Sequence, residues 1–120
     1  MTIIECYQSF GGDYDDVISR LRSEKLVEKF AVKFLADKSY SQLEEALQAD
    51  QPEEAFRAAH TLKGVCQNLG FTPLYAVSSE MSEILRNASD IDHARAEELM
   101  QQVRSEYDRT FQAIKAYAEQ

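Results

Sequence analysis

The sequence predicts an all-α protein, an antiparallel up-and-down four-helix bundle with short extra helices at its N-terminus. Three observations predict it. Apolar residues recur at i, i+3, i+4 and i+7 in one segment after another, the spacing of one helical face. No segment sustains the alternation of apolar and polar residues that a strand needs. Only 4 Gly and 2 Pro occur in 120 residues, so the connections are short, and short connections between amphipathic helices make antiparallel neighbours.

The elements follow in order. Thr2-Ile3-Ile4-Glu5 reads as a capping box that opens a short first helix, and Gly11-Gly12 ends it. Tyr14, Val17, Ile18 and Leu21 then mark one face of a second helix. Ser23 is the N-cap of a third, in which Val27, Phe30, Ala31, Phe34 and Leu35 repeat the spacing. Asp37-Lys38-Ser39 is a break. Ser41 and Glu44 form a second capping-box pair, ahead of the stripe Leu43, Ala46, Leu47. Asp50 and Glu53 form a third, with Pro52 in the first turn, where a missing N–H costs nothing. That helix runs over about 51–69, and Gly70 supplies a left-handed stop. Thr72-Pro73 restarts a helix whose buried stripe is Leu74, Val77, Met81, Ile84 and Leu85. Asn87-Ala88-Ser89-Asp90 is the last turn. A long final helix carries Ala96, Leu99, Met100, Val103, Tyr107, Phe111, Ile114 and Ala118 on one face.

Length and composition bound the function. Residues 1–120 make one domain of ordinary size, and 44% hydrophobic residues suffice for one core. No stretch reaches the roughly 18 apolar residues of a membrane span. Met1-Thr2-Ile3-Ile4-Glu5 lacks the basic segment and long apolar run of a signal peptide, so a cytoplasmic location is expected. A formal net charge of −8 argues against binding nucleic acid or anionic membranes, which it would repel. Cys6 and Cys66 belong to no C-x-x-C pair and are expected to be free thiols packed in apolar surroundings.

The helix over 51–69 holds the most informative residues. With His60 at the origin of a helical wheel, Ala58, Leu62, Val65 and Leu69 fall at about 140–200°. Ala55, Ala59 and Cys66 widen that sector, which is the expected core face. His60 lies at the centre of the polar face. Most histidines so placed are merely solvated, and most lysines like Lys63 are solvated cations. Gly64 changes the balance. Mid-helix glycine costs about 0.5–1 kcal/mol relative to alanine, and nothing in the local helix requires it. Its value lies in letting something approach the surface beside the ring, with the Lys63 cation ready for an oxyanion. Phe56, outward on this face and about 40° from His60, is a candidate anchor for a partner. Phe56, Arg57, Lys63, Gly64 and Gln67 around His60 thus form a candidate contact surface. His93, the other histidine, has no following lysine or glycine and reads as a solvated residue.

His60, Leu62, Lys63, Gly64, Leu69 and Gly70 spell the pattern H-x-L-K-G-x-x-x-x-L-G. It resembles the signature of histidine-containing phosphotransfer (HPt) domains, most strongly over 50–85. The resemblance implies a four-helix bundle that presents a histidine mid-helix. That histidine receives a phosphoryl group from a receiver-domain aspartate or a sensor kinase and passes it to another receiver domain. Carried over, His60 is the phosphoacceptor, Lys63 the cation that favours the phosphorylated form, and Gly64 the residue that gives access. Leu62, Leu69 and Gly70 match structural positions. Val65 and Cys66 depart from the small residues common after the glycine, but both point toward the expected core. Gln67 is larger than usual near the site.

Such a protein needs no cofactor and has no kinase activity of its own, because the receiver supplies the acidic pocket and the divalent metal. The expected partners are receiver domains of response regulators or a hybrid sensor kinase, and a monomer is the expected state. A bundle that binds receiver domains without phosphotransfer is the alternative. A carboxylate-bridged metal bundle is disfavoured because no Glu-x-x-His pair at i, i+3 occurs.

Overall fold

The computed structural model describes all 120 residues and contains helices and no strand. The helices are α1 (Ile3–Phe10), α2 (Tyr14–Leu21), α3 (Glu24–Lys33), α4 (Ser39–Gln48), α5 (Pro52–Leu69), α6 (Thr72–Leu85) and α7 (His93–Ala118). A single 3-10 turn, Phe34–Ala36, continues α3. The molecule measures 44 × 25 × 20 Å. No helix is long and apolar enough to cross a membrane.

α4, α5, α6 and α7 pack as successive neighbours. Side chains then bring α7 back to α4. Tyr40 stacks on Tyr107 with ring centroids 3.9 Å apart, and Arg104 pairs with Glu44 at 3.1 Å. Residue numbers thus rise along α4 as they fall along α7, the order of antiparallel neighbours. α7 outruns these partners at its C-terminal end, where α1 and α3 pack against it. There Tyr7, Phe10, Phe34 and Phe71 form an aromatic cluster with centroids 5.0–5.9 Å apart. The buried Tyr7 hydroxyl donates to the Leu69 carbonyl at 2.7 Å, tying α1 to the end of α5. The chain's two ends meet: the Met1 amino group donates to Gln120 Oε1, and Gln120 Nε2 donates to the Met1 carbonyl at 2.7 Å.

Local chemistry explains most boundaries. The capping box Thr2/Glu5 is formed, Ser23 caps α3, and Pro52 occupies the first turn of α5. The other two predicted boxes are not formed. Asp37 accepts a hydrogen bond from the Ser39 backbone N–H at 2.9 Å, so α4 starts at Ser39, and the Ser41 hydroxyl turns back to the Lys38 carbonyl. Asp50 adopts φ of 53°, and its N–H and that of Gln51 bond the Leu47 and Ala46 carbonyls. Asp50 therefore terminates α4 and cannot cap α5.

The core departs from the predicted stripes at a few positions. Val65 is partly exposed, and the buried face of α5 is Ala55, Ala58, Ala59, Leu62, Cys66 and Leu69. In α6, Val77 and Ile84 are partly exposed while Ser78 and Ser82 are buried beside Leu74, Met81 and Leu85. In α7, Thr110 is buried, Tyr107 and Phe111 are partly exposed and Ala118 is exposed. A helix squeezed between two others buries a wide sector, and small hydroxyl residues fill its tight side. Cys6 and Cys66 are free and buried, and burial pushes both thiols above their ordinary range, Cys6 to about 11.

Candidate functional site

α5 is 18 residues long, about 27 Å at 1.5 Å per residue, and His60 stands at its middle. The helix is held from behind. Ala55, Ala59, Leu62 and Cys66 are fully buried on the face away from His60, against α4 and α6. Small residues there let α6 approach closely. The far end is fixed by Gly70, at φ 71°, whose carbonyl accepts from the Asp13 N–H at 2.8 Å. A Cβ at Gly70 would lie 2.6 Å from the Asp13 carbonyl oxygen, so only glycine fits.

His60 is exposed. A Cβ added at Gly64 would meet nothing within 4 Å, so the surface one turn beyond His60 is bare. One turn before it, Phe56 is half-buried and stacked on the imidazole, with centroids 5.8 Å apart and planes 25° apart. Helical side chains lean toward the N-terminus, so residue 60 settles over residue 56, and a side chain at 64 would settle over the ring of His60. The imidazole is packed on one side and open on the other.

Two residues of the site escaped sequence reasoning, Glu83 in the last turn of α6 and Arg86 at its C-cap. The Arg86 guanidinium lies over the Phe56 ring, 5.6 Å from its centroid, and donates to Glu83 at 2.7 Å. That bond holds the Glu83 carboxyl below its ordinary range, with a smaller contribution from Lys63 on α5. The pair Glu83/Arg86 at i, i+3 reads from the sequence as a surface ion pair. Which helix it faces depends on the rotation of α6, which no local signal reveals.

The structure spreads the other predicted residues across the face. Lys63 is partly buried on the α6 side, close enough to Glu83 to help lower its carboxyl. Arg57 lies on the opposite flank. It is paired with Glu54 and lines a groove toward α4 with Gln42, Glu45 and Thr61. Gln67 has an exposed side chain, while its carbonyl accepts from Arg20 at 2.8 Å. No three His, Cys, Asp or Glu side chains converge as a metal site. A groove of about 310 Å³ between α4 and α7 holds His93, Glu44 and Glu97, and does not include His60. His93 is the first residue of α7, behind the N-cap Asp92.

The arrangement offers an exposed imidazole, a lysine three residues along the same helix and free approach. It suits reaction with a group carried on another macromolecule.

No curated protein and no solved structure is significantly similar to the chain. The profile of the Hpt domain family matches residues 35–113, which takes in α4 to α6 and most of α7. The chain belongs to the Hpt domain family, whose members are carriers, not kinases, in the histidine phosphotransfer of two-component phosphorelays.

Proposed function

We propose that the protein accepts a phosphoryl group on His60 from a receiver-domain aspartate or a sensor kinase and relays it to the receiver domain of a response regulator. One observation carries the assignment to His60. Of the two histidines within the matched segment, His60 alone is exposed at mid-helix with bare space beside it. In the accepting step an imidazole nitrogen attacks phosphorus. The P–N bond forms as the P–O bond to the aspartyl carboxylate breaks, and the carboxylate leaves with the electron pair. The onward step is the reverse, on a second receiver.

Phosphoryl transfer depends mainly on in-line positioning and on neutralising charge at the equatorial oxygens. Lys63, three residues further along the same helix, would supply the positive charge. Gly64 leaves the approach clear for the partner's backbone. The partner brings the divalent metal and the acidic pocket, so this chain contributes a fixed, solvated nucleophile. Phe56 stacks on the ring, and the exposed Gln67 farther along α5 and Arg57 on its α4 flank extend the face a partner would meet.

The test is incubation of the intact chain with phosphorylated receiver domains, followed by mass spectrometry under conditions that preserve acid-labile phosphate. Phosphate should appear on His60, and His60→Gln should take none while still binding the receiver. Binding without phosphate on the wild-type chain, across all receivers that bind, would refute the relay.

A further inference from the structure

We infer that Phe56, steadied by Arg86 and Glu83 from α6, positions the His60 imidazole for transfer. The inference rests on His60 being the phosphoacceptor and adds how its ring is held. An exposed histidine on a helix explores several side-chain rotamers, with a broad, two-fold preference at χ2. An in-line attack requires one orientation of ring plane and nitrogen. No hydrogen bond to the His60 ring fixes it, and Phe56 is the aromatic ring that stacks on it, at 5.8 Å and 25°.

Phe56 is itself anchored. Its ring is half-buried against the core, and the Arg86 guanidinium lies over it at 5.6 Å. Arg86 is the C-cap of α6, at the start of the connection to α7, and would otherwise be a free surface cation. Its bond to Glu83 at 2.7 Å keeps it in place. The order Glu83, Arg86, Phe56, His60 is therefore a continuous series of contacts from α6 to the reacting ring. Gly64 completes the device by omission, since a side chain there would lean on the ring's free side. Phe56, Arg86 and Glu83 act through His60 and are positioning residues.

The experiment compares the intact wild-type chain with Phe56→Leu, Phe56→Tyr and Arg86→Ala. Leucine keeps an apolar contact but has no flat ring, and tyrosine keeps the ring. Each variant is first checked by thermal unfolding. Transfer is then measured with a phosphorylated receiver domain and with phosphoramidate, a small donor that needs no docking surface. Phe56→Leu should lower the maximal rate about three- to ten-fold with both donors at unchanged KM. Phe56→Tyr should restore it, and Arg86→Ala should give a smaller loss in the same direction. The ring protons of His60 should show an upfield NMR shift in the wild type that disappears in Phe56→Leu.

A Phe56→Leu chain that transfers as fast as a normally active wild type overturns the positioning role alone. So does a defect confined to KM with the receiver, which would make Phe56 a docking residue. A wild type that takes phosphate from neither donor overturns the phosphotransfer reading and the positioning role together. In that case a His60 ring shift that depends on Phe56 would still show the stack to be real.

Discussion

Gly64 is where stability and the proposed chemistry should part. The helix would be more stable by about 0.5–1 kcal/mol with alanine there, since a methyl group removes backbone entropy from the unfolded chain. Nothing in the fold opposes it, because the position is open. Gly64→Ala should therefore raise the unfolding midpoint in urea while slowing phosphate acceptance by about ten-fold or more, the penalty for a misplaced approach. Unchanged transfer in that variant would show that the glycine is not there for access. Much of this was legible in the sequence. His60, Lys63 and Gly64 stand out because a glycine at that place breaks a local rule with no local compensation. Arg57 lies on the α4 flank of the same helix, paired with Glu54. Glu83 and Arg86 were beyond reach because their role exists only once α6 is docked.

At the scale of elements, the ends of helices carry the information. Gly70 ends α5 and accepts the bond that starts α2, so two elements share one residue. Gly70→Ala should cost about 2 kcal/mol or more, from the left-handed backbone and from the clash with the Asp13 carbonyl. A urea titration showing a loss below about 0.5 kcal/mol would contradict this account. Tyrosines join other elements. Burial raises the Tyr7 phenol above its ordinary value, and burial with Glu44 nearby pushes Tyr40 up to about 12. The folded chain thus prefers neutral phenols, whereas unfolded ones ionise near pH 10. The stability they lend is whole below pH 10 and is lost as pH rises from there through about 12. Urea midpoints should fall over that window, and Tyr40→Phe should make the fall shallower. A pH-independent midpoint up to 12 would rule it out. Helix existence was legible from periodicity and from Thr2, Ser23, Pro52 and Gly70. The capping boxes at Ser41 and Asp50 fail for different reasons: α4 has already begun at Ser39, and Asp50, left-handed at φ 53°, ends α4.

At the scale of the whole molecule, the N-terminal helices close one end of the bundle. The segment that matches the family begins at residue 35, so α1 to α3 lie outside it. Those helices nonetheless finish the core, because Tyr7 and Phe10 surround Phe71 and α7 would otherwise end unsupported. Periodicity predicted short extra helices but not their place, since the contacts that seat them join residues more than sixty positions apart. His60 stands at mid-length on α5, and Arg20 of α2 reaches the same helix farther along, at the Gln67 and Asn68 carbonyls. The meeting of Met1 with Gln120 makes the chain almost a closed ring. A ring has no first residue. The packing would be the same if the covalent break stood elsewhere, for example in the exposed turn at 87–90, and a short bridge of a few residues would cost little entropy to close. In this architecture the contacts between helices, and not the place of the covalent break, specify the packing.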